Sequence, residues 1–123
     1  MITETLSLPA TELFPLQVLA TRYRTADVSV PESLEDGYTL VCMHAVGLHK
    51  ETWQAVARHL LSSITKDSVG RPHYLGHIIR EIYAIECPNH GESALVNKEI
   101  LQTRYKDTCE SMDRLHSLER WLD

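Results

Sequence analysis

Tyr38-Thr39-Leu40-Val41-Cys42-Met43, continuing into His44-Ala45-Val46-Gly47-Leu48-His49-Lys50-Glu51-Thr52-Trp53, is the stretch on which the fold of this chain turns. Its first six residues are almost continuously apolar and rich in β-prone side chains. A short run of this kind between turn residues reads as a strand buried on both faces, as in a parallel sheet. His44 to His49, with Gly47 inside it, reads as a loop. From Lys50 the period changes. Trp53, Val56, Ala57, Leu60, Leu61 and Ile64 recur at three- and four-residue spacing, so a helix over residues 50–64 gathers them on one face. Gln54, Arg58 and Ser62 fall on the other face.

Toward the C-terminus, residues 66–77 carry Gly70, Pro72 and Gly76 and read as a loop. Residues 78–87 form a second strand, clearest in Glu81-Ile82-Tyr83-Ala84-Ile85-Glu86-Cys87, and Pro88-Asn89-His90-Gly91-Glu92-Ser93 forms a second loop. Strand, helix and strand of these lengths make a right-handed parallel crossover. Both loops then leave carboxyl ends of parallel strands and share one rim of the sheet, where open sheets bind ligands. Residues 94–111 are polar and without a clear period, whereas Met112, Leu115, Leu118 and Leu122 return to helical spacing and suggest a last short helix. Toward the N-terminus, residues 1–14, with Pro9, read as an irregular lead-in. Residues 16–23 and 26–30 read as two short strands, with a polar turn at 31–37, forming a hairpin at the sheet's edge. The expected class is α/β, in a single domain over residues 1–123.

Composition narrows the function. Hydrophobic residues are 43% and charged residues 24%, a globular balance that excludes general disorder. A net charge of -5, with the twelve Lys and Arg scattered, leaves no basic footprint for nucleic acid or an anionic membrane. No apolar run approaches the roughly 20 residues of a membrane-spanning helix. The start, Met1 to Leu6, has neither basic residues nor an apolar core, and Trp121-Leu122-Asp123 is not a peroxisomal address, so the expected compartment is the cytoplasm. Cys42, Cys87 and Cys109 form no C-x-x-C pair, and Cys42 and Cys87 read as small apolar residues within strands. Of the seven histidines, His44 and His49 flank a loop, and His73 and His77 have Gly76 between them. Neither spacing makes a metal site by itself, and no metal or cofactor is expected.

The two loops, His44 to Trp53 and Glu86 to Ser93, with the strands before them, resemble the α/β-hydrolase family. They look most like fungal members reading close to HAVGxHKETW and CPNHGxS. The resemblance implies a partial α/β-hydrolase fold covering about residues 15–95. It implies that Val46, two residues after His44, gives its backbone N–H to an oxyanion hole, with His44, Gly47 and His90 at the rim of the substrate site. Aligned on Ser93, Glu86 stands at the family's Asp position, Asn89 at its first Gly, and His90, Gly91 and Ser93 match its turn. Ala45 stands where the family has Gly. Ser93 is then part of a structural turn.

The family's nucleophile lies in a G-x-S-x-G elbow after the next strand, followed by an acid and a histidine. This sequence contains no G-x-S-x-G. The chain is therefore expected to be inactive alone: a truncated piece of a hydrolase of an ester, amide, epoxide or similar bond, whose small-molecule substrate is met by the fuller protein. The rival expectation is a non-enzymatic interaction module that keeps the first half of the fold. In either case the edge at residues 38–43 lacks the next strand, so self-association through it is expected.

Overall fold

The computed structural model describes residues 1–25, 37–62, 65–66, 72–73 and 79–105. In chain order these form β1 (Ile2–Leu8), β2 (Val18–Arg24), β3 (Tyr38–Met43), a 3-10 turn (Lys50–Trp53), α1 (Gln54–Ser62), β4 (Thr65–Lys66), β5 (Pro72–His73), β6 (Ile79–Ile85), α2 (Gly91–Val96) and α3 (Lys98–Thr103). The main sheet runs β1-β2-β6-β3. β1 is antiparallel to β2, β2 is antiparallel to β6, and β6 is parallel to β3.

The deciding stretch behaves largely as its sequence suggests. Residues 38–43 are a strand, the expected helix begins as a 3-10 turn and continues as α1, and β6 returns parallel to β3. Directly opposed residues show which face the helix covers. Tyr23 faces Ile82, Thr21 faces Ala84, Leu40 faces Ile82 and Cys42 faces Ala84. These side chains share the face on which Ala57 and Leu61 of α1 pack, with Trp53, Leu60, Leu40 and Cys42 around them. Val56, expected on this face, is exposed instead.

β3 departs from the expectation of burial on both faces. Tyr38, Val41 and Met43 are exposed. Among the described residues α1 covers one side of the sheet, and β3 is the last strand of the described sheet. The uncovered side is held by polar contacts. Arg22 reaches Glu81 at 2.6 Å and lies over the Tyr83 ring, while Thr39 Oγ1 donates to Glu81 Oε1 at 3.3 Å and accepts from Arg80 at 2.8 Å.

Glu81 gives this face a pH dependence. Burial acts to raise the pKa of its carboxyl, but the hydrogen bond and charge of Arg22, with Arg80 and Thr39, outweigh burial and hold it below the ordinary 4.5. A folded pKa below the unfolded one contributes stability that is present above the unfolded value and drains as pH falls through the folded value. Acid unfolding should therefore steepen below pH 4.5. Glu81→Gln should flatten that slope in urea titrations at several pH values; an unchanged slope would place the acid sensitivity elsewhere.

Three expectations are corrected. Residues 1–14 are not all irregular, because Ile2–Leu8 pairs with β2 along its whole length. The edge hairpin is thus β1 with β2; residues 26–30 lie outside the described residues. β1 was hard to read because its residues are nearly all exposed, so the apolar alternation that marks a half-buried strand is missing. Within the expected 66–77 loop, Pro72–His73 pairs antiparallel with Thr65–Lys66, a ladder too short to leave a pattern. Residues 91–103, expected as loop end and aperiodic chain, hold two six-residue helices. The expected helix at 112–122 lies outside the described residues. No described helix is long and apolar enough to cross a membrane.

Candidate functional site

β3 and β6 are adjacent and parallel, so the loops that leave their carboxyl ends meet. His44, buried at the end of β3, places Nε2 3.0 Å from the Cys87 N–H, which donates to it. Its Nδ1 lies 2.9 Å from the Ala45 carbonyl. A carbonyl only accepts, so Nδ1 carries a proton and donates it there. His90 repeats the arrangement: Nδ1 faces Asn89 Oδ1 at 2.7 Å, and Nε2 accepts the Gly47 N–H at 3.3 Å. The two rings stand 5.0 Å apart. Burial, then the neighbouring His44, lower the pKa of His90 from its ordinary value, with Glu86 opposing. Protonating Nε2 would set two N–H groups against each other at Gly47.

Beneath the histidines the loops are bound by charge. Glu86 is 0% exposed. Its carboxylate accepts the Ser93 N–H at 2.9 Å and the Lys50 N–H at 3.5 Å, and pairs with Lys50 Nζ at 3.4 Å. Lys50 is 1% exposed and also reaches Glu51 and Glu92, each at 2.7 Å. Burial works against the Lys50 ammonium, and so does its place at a helix start. The hydrogen bonds to Glu51 and Glu92 and the charge of Glu86 prevail and raise its pKa well above the ordinary lysine range. The turn closes tightly over the carboxylate: Gly91 has φ +47, and a Cβ there would overlap Glu86 Oε1.

The second loop is anchored to β2 as well. Ser93, 0% exposed, accepts the Leu19 N–H at 3.0 Å through Oγ. Asn97, between α2 and α3, accepts the Gln17 N–H at 2.8 Å and donates to the carbonyls of Gln17, Pro88 and Ser93. Buried backbone groups of three segments are thereby satisfied by one side chain.

The residues singled out in the sequence thus fall together. At the rim His90 lies against both His44 and Gly47. Val46 lies beside them, 75% exposed, and its N–H makes no hydrogen bond among the described residues. Glu86 pairs with both a cation and backbone N–H groups. Sequence reading missed Lys50 and Asn97. Lys50 sat in the quoted motif but read as a helix start, since its carboxylates Glu86 and Glu92 lie 36 and 42 residues away. Asn97 lay in a stretch without a period.

Sheet order, parallel crossover and rim loops together define a partial α/β-hydrolase fold. Among solved structures, the chain is similar to a peroxisomal α/β-hydrolase, Lpx1, of Saccharomyces cerevisiae, with a TM-score of 0.53 and 20% identity. The match covers 78% of this chain and 26% of that one, so the chain spans about a quarter of the yeast protein. No protein-family model matches the sequence, and no curated protein matches it.

Proposed function

We propose that this chain is the N-terminal part of an α/β-hydrolase and supplies the oxyanion side of its active site. The reaction is hydrolysis of an ester, amide, epoxide or similar bond in a small molecule, and the nucleophile, acid and catalytic histidine come from a further part of the fold. The observation that carries this reading is the rim itself. Val46 is exposed and its N–H is unbonded among the described residues, next to a Gly47 N–H already committed to His90. A backbone donor held between a strand and a helix stabilises a developing oxyanion by about 3 kcal/mol. Its compartment in this reading is the cytoplasm. The test is the transcript downstream of the Asp123 codon. A reading frame that goes on to encode a strand and a G-x-S-x-G is expected; a stop codon there would overturn the reading.

A second reading, an interaction module, is favoured by the sheet edge. Tyr38, Val41 and Met43 are exposed on β3, Val41 by 61%, and no described strand pairs on its outer side. A flat apolar edge without charge or proline templates pairing with another chain. The 123-residue chain should therefore associate with itself in a concentration-dependent way in sedimentation experiments. Val41→Lys should shift it toward monomer, at little packing cost because Val41 is exposed. A cooperative, concentration-independent monomer before any substitution would show the edge to be covered.

A further inference from the structure

The pair of histidines at the rim has a third neighbour. Cys87 belongs to the same loop as His90, and the ligand atoms of His44, Cys87 and His90 all lie within 4.8 Å of one another. Sequence spacing hid this group, because His44 and Cys87 are separated by 43 residues and meet only through the parallel pairing of β3 and β6. We propose that His44, Cys87 and His90 form a binding site for a borderline transition-metal ion, zinc(II) foremost, through the two Nε2 atoms and Sγ.

Four features carry this. The donor set, two imidazoles and one thiol, suits zinc, whereas an oxygen-only set would suit magnesium or calcium. Both histidines already hold the tautomer a ligand needs. Each Nδ1–H is donated to an oxygen, Ala45 O or Asn89 Oδ1, and each Nε2 presents a lone pair. Metal-bound histidines are oriented in this way by outer partners that fix ring and tautomer. The Nε2 lone pairs are at present taken by single backbone N–H groups, that of Cys87 on His44 at 3.0 Å and that of Gly47 on His90 at 3.3 Å, and a cation bound between the rings displaces both. Finally, the site is half open. His44 is buried and Cys87 and His90 are half-buried, while exposed Val46 and Gly47 border it, so a fourth position faces solvent and can take water.

The geometry needs a modest contraction. With zinc bonds of about 2.0–2.1 Å to nitrogen and 2.3 Å to sulfur, tetrahedral ligands stand about 3.3–3.6 Å apart. From a separation of up to 4.8 Å, reaching that spacing takes a movement of about 1.2–1.5 Å, which we assign to side-chain rotation of Cys87 and His90. Binding converts the Cys87 thiol to a zinc-bound thiolate and releases its proton to solvent. Burial and the nearby Glu86 carboxylate otherwise keep that thiol protonated, by raising its pKa above the ordinary value. The displaced Gly47 N–H would return to the rim beside Val46, so metal binding and the shape of the oxyanion loop are coupled.

Cobalt(II), which reports its ligands by colour, is the probe. Titration of the 123-residue chain should give one equivalent of an intense four-coordinate visible band, with a near-ultraviolet thiolate-to-cobalt band, both displaced by zinc(II). Cys87→Ser should abolish the thiolate band. His90→Gln should weaken zinc binding more than about 10-fold, the least that even an outer partner of a metal ligand costs. Cys42→Ser, in the strand, should leave both bands intact. Far-ultraviolet circular dichroism run on each variant confirms that folded chains are being compared. Absence of the bands in the folded unsubstituted chain, their survival in Cys87→Ser, or their loss in Cys42→Ser would overturn the proposal.

Discussion

Glu86→Ala should be the most damaging single substitution in this chain, costing about 3–5 kcal/mol in urea unfolding, as expected when one member of a buried ion pair is removed. The reason lies in what is left behind. Lys50 stays fully enclosed with Glu51 and Glu92 on its outer side, and the Ser93 N–H at the start of α2 loses its only acceptor among the described residues. Each buried group without a partner costs about 1–3 kcal/mol. Glu86→Gln keeps the volume and one acceptor oxygen and should cost clearly less. If Glu86→Ala cost less than about 1 kcal/mol, in the range of an exposed pair, the two loops would not be joined through this carboxylate.

Gly91→Ala should follow closely, at about 2–5 kcal/mol. Left-handed backbone costs alanine about 1–2 kcal/mol. Forcing a methyl into a filled site adds about 1–3 kcal/mol. The filled site is Glu86 itself, whose carboxylate cannot withdraw without breaking its bonds to Lys50 and Ser93. Gly47 provides an internal control. It has φ +80 but nothing within 4 Å of an added Cβ, so Gly47→Ala should show the backbone cost alone. Equal losses at the two glycines, in parallel urea titrations, would mean that the turn does not close on the carboxylate.

How much of this was legible in the sequence follows from how local each signal is. Apolar periodicity in residues 38–61 and 79–85 reports burial against immediate neighbours, and it located β3, α1 and β6 with their parallel crossover. β1 escaped because an exposed antiparallel strand is held by its backbone ladder and leaves no apolar stripe. The helices α2 and α3, each under two turns, are too short for a 3.6-residue period to show. Val56 misled because the helical face is wider in pattern than in contact: α1 meets the sheet through Ala57 and Leu61.

The site followed the same logic. Its loops were recognisable as strings, and in the structure Gly91 opens α2 with a positive φ and Ser93 is buried within it. What fills the space between them was not recognisable. Lys50 reads as a helix start until the crossover brings Glu86 and Glu92 to it. Cys87 reads as a small apolar residue until His44 arrives from the adjacent strand. Long-range pairs leave no spacing in the chain, and only the sheet order reveals them.

The proposed function has this chain contribute the oxyanion side of a hydrolase site whose nucleophile comes from a further part of the fold. Ser93, the serine of the rim loops among the described residues, is buried, and its Oγ is engaged with the Leu19 N–H. The direct measurement is treatment of the folded 123-residue chain with a fluorophosphonate probe, alongside an assay with nitrophenyl acetate. The account predicts background hydrolysis and no labelled serine. Stoichiometric labelling of one serine, Ser93 above all, together with turnover above background would contradict it.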